Sequence, residues 1–100
     1  MPHKTRIKKI KEELKKLKPF LRERFKVKEI GIFGSYVRKE NKKRSDLDVL
    51  VKFFEAPSFF EFLELEEFLS KKLKVKIDLV MKDALKPTIG KYILKEVVYV

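Results

Sequence analysis

EIGIFGSYVRKENKKRSDLDVLVKFF, residues 29–54, is the stretch whose reading decides the fold. Residues 28–33, Lys-Glu-Ile-Gly-Ile-Phe, read as a strand. Gly34-Ser35 ends that strand, and Tyr36 to Lys39 read as a short helix. Residues 40–45 are polar and loop-like. Residues 47–54, Leu-Asp-Val-Leu-Val-Lys-Phe-Phe, give the strongest strand pattern in the chain.

Upstream, Ile7, Ile10, Leu14 and Leu17 recur at helical spacing, which predicts a helix over residues 5–17 with Thr5 as its cap. Pro19 is expected to interrupt it, leaving Phe20, Leu21 and Phe25 on a second short helix. Downstream, Pro57 breaks the strand. Ser58 and Glu61 then have the spacing of a capping box, at the N-cap and N3 positions. A helix is expected to run to about Lys72, with Phe59, Phe62, Leu63, Leu69 and Leu73 inward. Residues 74–80 alternate as a strand. Residues 83–94 read as helix interrupted around Pro87 and Gly90, and residues 96–100 as a last edge strand. The order predicts an α/β (α+β) fold, a small mixed sheet with helices packed on it. With no repeat, linker or composition break, residues 1–100 read as a single domain.

Composition excludes several function classes. The chain has 100 residues, no Cys and one His, so disulfides, a zinc ribbon, a His metal site and a Ser-His-Asp triad are not expected. Hydrophobic residues make up 44%, which argues against disorder. No apolar run approaches the ~20 residues a membrane span needs, and the first residues lack the apolar core of a signal peptide; a cytoplasmic protein is expected. Abundant Lys and Glu with no Gln is a heat-adapted composition, which suggests a thermophile.

The net charge of +11 attracts polyanions: nucleic acid, nucleotides or an acidic protein. It is unevenly spread. Residues 1–28 carry twelve Lys and Arg against three Glu, while residues 55–67 carry five Glu and no base. Opposed patches of this sort suit a protein partner or a homo-oligomer. No base-reading motif accompanies the basic segment, which places nucleic acid below protein as a partner.

The chemistry-bearing residues sit against propensity. Three of the four Asp fall in predicted strands, where Asp is a poor fit. Such conflicts tend to mark functional sites. Asp46 and Asp48 alternate onto one face, about 6.6 Å apart along the strand. Leu47, Val49, Val51 and Phe53 take the other face. In the third strand Val75, Ile77 and Leu79 share a face and Asp78 takes the opposite one. If these strands pair, three carboxylates converge and repel. A hard divalent cation, Mg²⁺ or Mn²⁺, would neutralise them, and two such ions can clamp a phosphoryl or nucleotidyl transfer. Gly34-Ser35 supplies a close backbone approach and a hydroxyl donor for a phosphate, and Arg38 lies one turn on. Taken singly, Gly-Ser is a turn and Asp-Leu-Asp a strand-edge device; their fixed order gives them weight. Ser45 reads as a local turn-former, and Tyr36, Tyr92 and Tyr99 as packing residues.

Gly34-Ser35, ten residues, then Asp46-Leu47-Asp48 resembles the GS-x10-DxD signature of the DNA polymerase β-like nucleotidyltransferase superfamily. With FGSYVRKENKKRSDLDVLV and the later KIDLV, the chain is similar to the minimal nucleotidyltransferase (MNT) group over nearly its whole length. The resemblance implies the polymerase β-like fold. It makes Gly34, Ser35 and Arg38 the nucleoside triphosphate-binding residues, and Asp46, Asp48 and Asp78 the catalytic, metal-binding carboxylates. It further implies an antitoxin that transfers AMP from ATP to a Tyr of a HEPN-type ribonuclease toxin. The alternative is a non-catalytic binding antitoxin, or a nucleotide- or nucleic-acid-binding module on the same scaffold. One departure is Lys39, where many members have Gly.

Overall fold

The computed structural model describes the backbone of residues 3–40 and 46–100, and side chains from Ile7 onward within them. The elements run α1 (His3–Phe25), β1 (Val27–Phe33), α2 (Ser35–Arg38), β2 (Leu47–Phe53), α3 (Phe59–Leu73), β3 (Ile77–Met81), a 3-10 turn (Lys82–Ala84), α4 (Pro87–Glu96) and β4 (Val98–Tyr99). The four strands form one mixed sheet in the order β3-β2-β1-β4. β1 is antiparallel to β2 and β4, and β2 is parallel to β3 with α3 as the crossover.

Strand alternation sorts the two faces of this sheet. Ile30 and Ile32 of β1, Leu47, Val49 and Val51 of β2, and Ile77 and Leu79 of β3 are buried in one cluster. Ile10, Leu14, Leu21 and Phe25 of α1 and Leu65 and Leu69 of α3 complete it. The opposite face carries the chemistry, because Asp48 falls between core positions on β2 and Asp78 between core positions on β3.

Four expectations need correction. α1 is one helix with Pro19 inside it, and Thr5 lies within the helix rather than at its cap. A mid-helix Pro costs about 3 kcal/mol. Leu14, Leu21 and Phe25 straddle it on one buried stripe, and at about 2 kcal/mol for each buried side chain their packing outweighs it. On α3 the inward residues are Phe62, Leu65, Phe68, Leu69 and Leu73, whereas Phe59 and Leu63 are exposed. Phe59 begins the helix immediately after its cap, before the stretch that packs on the sheet. The capping box itself is present: Ser58 Oγ accepts from Glu61 N at 3.2 Å, and Ser58 N donates to Glu61 Oε1 at 3.0 Å. Pro87 opens α4 rather than breaking it, since the first helical position needs no N–H. Gly90 sits inside α4 because a Cβ there would meet Leu85 Cβ at 2.9 Å. Finally, Tyr36 is buried, but Tyr92 and Tyr99 are exposed and are not core packing residues.

Lys39 ends α2 at φ 61°, in the left-handed region, and its N–H donates to Ser35 O. That conformation favours glycine by roughly 1 kcal/mol over a residue with a side chain. Lys39→Gly is therefore expected to raise the melting temperature by a few degrees in a thermal melt, with α2 intact. An unchanged or lower melting temperature would mean that the Lys39 side chain contributes as much as its backbone costs. Ser45 and most of the loop over residues 40–45 lie outside the described residues.

Candidate active site

Each site residue is placed by the sheet. Phe33, the last residue of β1, pairs with Asp48 of β2, and Asp48 pairs in register with Asp78 of β3. The parallel β2–β3 pairing thus sets two carboxylates side by side, as the alternation predicts. Asp46 stands one residue before β2 rather than inside it, and Leu47 N is held by Lys76 O at 2.9 Å. Asp78 is exposed, while Asp46 and Asp48 are partly buried.

Gly34 turns the chain from β1 into α2 at φ 80° and ψ −153°, a region essentially closed to residues with a side chain. The turn brings its backbone against Asp48: a Cβ on Gly34 would stand 2.0 Å from Asp48 Oδ2. Gly34 O accepts from Val37 N and Arg38 N at 3.0 and 3.1 Å, which closes the single turn of α2. Ser35 opens α2 next to this carboxylate. Arg38, at its end, donates Nε to Glu40 Oε2 at 3.0 Å and Nη1 to Glu96 Oε1 at 2.7 Å.

The electrostatics report an uncompensated acidic cluster. The Asp48 carboxyl is pushed up to about 6. Burial is the main cause, followed by the Asp78 charge, a hydrogen bond shared with Asp78, and Asp46; Arg38 opposes them. Among the described residues, no three acidic or imidazole groups are drawn close enough to enclose an ion. The donor set nevertheless fits a divalent cation: every donor is a carboxylate oxygen, the choice of Mg²⁺ or Mn²⁺, and the raised Asp48 carboxyl marks where positive charge is wanted. None of the three carboxylates lines the cavity of about 600 Å³ that Ile7, Lys8, Lys11, Lys15 and Tyr99 border.

Glu96 belongs to this cluster and was missed by the sequence reading. Its Oε2 accepts from Gly34 N at 3.1 Å while its Oε1 holds Arg38. No local pattern flags it, because its partners lie 62 and 58 residues away.

Comparison with known proteins gives the same direction. Residues 14–100 match the family model described as "Nucleotidyltransferase domain". The protein adenylyltransferase MntA of Thermococcus cleftensis is 60% identical over 80 residues, covering 80% of this chain and 81% of that protein. A solved structure described provisionally as a minimal nucleotidyltransferase superimposes with a TM-score of 0.74 at 28% identity, over 98% of this chain and 95% of that one. A toxin–antitoxin crystal structure with AMP-PNP gives a TM-score of 0.74 at 23% identity, over 89% of this chain and 70% of that one, a likeness of fold. By its GS turn, its paired carboxylates and the span of the family match, this chain belongs to the nucleotidyltransferase domain family.

Proposed function

We propose that this chain, acting as one domain over residues 1–100, is a divalent-metal-dependent protein adenylyltransferase. It transfers AMP from ATP to a tyrosine hydroxyl of a HEPN-type ribonuclease toxin, and so serves as a cytoplasmic antitoxin. The observation that carries this reading is the in-register pairing of Asp48 with Asp78 beside the Gly34 turn. Protein adenylylation, as opposed to other nucleotidyl transfer, is supported by the similarity to the Thermococcus cleftensis adenylyltransferase. The tyrosine acceptor and the HEPN partner rest on the motif resemblance.

In this scheme Gly34 N, Ser35 Oγ and Arg38 hold the triphosphate. The acceptor's phenol oxygen attacks the α-phosphorus; a P–O bond forms there, the bond to the β-phosphate oxygen breaks, and pyrophosphate leaves. The phenol proton passes to Asp78, the exposed member of the pair. Mg²⁺ or Mn²⁺ bound by Asp46, Asp48 and Asp78 would supply Lewis-acid stabilisation of the charge on the attacking and leaving oxygens. A small domain of this kind needs no pocket for its acceptor, because the partner protein presents it.

A second reading, neutralisation by contact alone, is supported by the apolar residues that α4 leaves exposed, Ile89 at 60% and Tyr92 at 71%. One experiment separates the two. The purified chain is incubated with the product of its neighbouring gene as candidate partner, ATP and Mg²⁺, and both are weighed by intact-mass spectrometry. AMP increments on the partner are expected, and none with an Asp46→Asn/Asp48→Asn chain. A stable complex with no increment from ATP, GTP, CTP or UTP would discard the catalytic reading and leave the binding one.

A further inference from the structure

The contact that ties α4 to the motif is a carboxylate on donors suited to phosphate. Glu96 places Oε2 on the Gly34 N–H at 3.1 Å and Oε1 on Arg38 Nη1 at 2.7 Å. A main-chain N–H beside a guanidinium is the donor pair that phosphate oxygens take. The Glu96 side chain is 21% exposed and that of Arg38 49%, so the carboxylate is held partly out of solvent while the guanidinium stays open to an incoming anion. Arg38 also holds Glu40, so one guanidinium is already flanked by two carboxylates. An incoming triphosphate therefore meets occupied donors and two repelling charges.

We propose that Glu96 is a built-in competitor of the nucleotide's phosphates, and that ATP takes the Gly34 N–H and Arg38 only as Glu96 releases them. This rests on the reading of Gly34, Ser35 and Arg38 as the triphosphate-binding residues. By linkage, whatever Glu96 gains by docking is subtracted from nucleotide affinity. The same exchange frees the carboxyl end of α4, which is followed directly by Val97 and the two-residue strand β4. Nucleotide occupancy is thereby coupled to the order of the chain's last segment.

The test measures binding of ATP, AMP and adenosine, with Mg²⁺, to the wild-type chain, Glu96→Gln and Glu96→Asp by titration calorimetry, with thermal melts confirming that each is folded. Competition for the phosphate donors predicts that Glu96→Gln binds ATP about 5- to 20-fold tighter, AMP by less, and adenosine unchanged. Glu96→Asp keeps the charge on a shorter arm and should fall between the two. Hydrogen exchange on the wild-type chain provides a readout that needs no variant: ATP should speed exchange at residues 96–99. Equal or weaker ATP binding by Glu96→Gln, with slower exchange at the end of α4, would overturn the proposal and make Glu96 a residue that positions Arg38. If no folded chain, wild type included, binds ATP, the triphosphate reading of Gly34, Ser35 and Arg38 fails, and this inference with it.

Discussion

Asp48→Asn is expected to impair nucleotidyl transfer severely while making the protein more stable. The two effects have one origin. Asp48 is partly buried next to Asp78, and its carboxyl is raised from 3.8 to about 6 by burial first and the Asp78 charge second. The folded state thus holds a proton that the unfolded chain releases, so stability is fully present below about pH 4 and is lost as pH rises toward 6. At pH 7 the metal-free wild-type chain carries the whole penalty. Discounted for solvent access, removing the charge should yield about 1 kcal/mol, a melting temperature several degrees higher. A pH series of melts in EDTA should show the wild-type decline between pH 4 and 6 and a flatter profile for Asp48→Asn. Added Mg²⁺ should raise the wild-type melting temperature more than that of the variant. Under the proposed function, the same substitution also removes a charged oxygen from the carboxylates that would hold the metal. At roughly 4 kcal/mol of lost transition-state stabilisation, adenylylation should fall about 10³-fold. Wild-type activity in the variant would show that Asp48 is no ligand. A fall in melting temperature at pH 7 would show that its charge is compensated in the folded state.

What could be read from the sequence was what depends on short periods. Alternation by twos put Asp48 and Asp78 on the face opposite Val49, Ile77 and Leu79, and the parallel register makes them neighbours. Ser58 and Glu61 are three residues apart, so the cap was legible as well. The misreadings came where tertiary packing overrode a local rule. Pro19 should break a helix, but a stripe buried on both sides of it keeps α1 whole. Phe59 and Leu63 are apolar yet exposed, because hydrophobicity alone does not say which part of a helix reaches the sheet. By its alternation with Asp48, Asp46 reads as a strand residue, but β2 begins one residue later. Glu96 was invisible for a different reason: it joins the site by folding back across the chain, and no spacing rule encodes that.

Gly34→Ala is expected to damage both stability and transfer with a single methyl group. The backbone at φ 80° and ψ −153° belongs to a region that only glycine occupies freely, at a cost of about 1–3 kcal/mol for another residue. The added Cβ would also lie 2.0 Å from Asp48 Oδ2 and 2.8 Å from Asp48 Cγ. Part of that overlap can be relieved, because the nearest atom is the end of a side chain that can rotate. The relief comes at the carboxylate's position. Two separable losses follow. Stability should drop by about 2 kcal/mol, roughly 10 °C in melting temperature for a chain of this size. Transfer activity, assayed well below the new melting temperature, should drop by at least about 10²-fold, since a misplacement near 1 Å at a reacting group costs that much. Asp48→Asn in the Gly34→Ala background should cost far less than the about 10³-fold it costs alone, because the carboxylate is already displaced; the two effects should be far from additive. If Gly34→Ala melts early yet transfers AMP at the wild-type rate, the glycine serves only the turn, and the close approach of Gly34 to Asp48 has no part in catalysis.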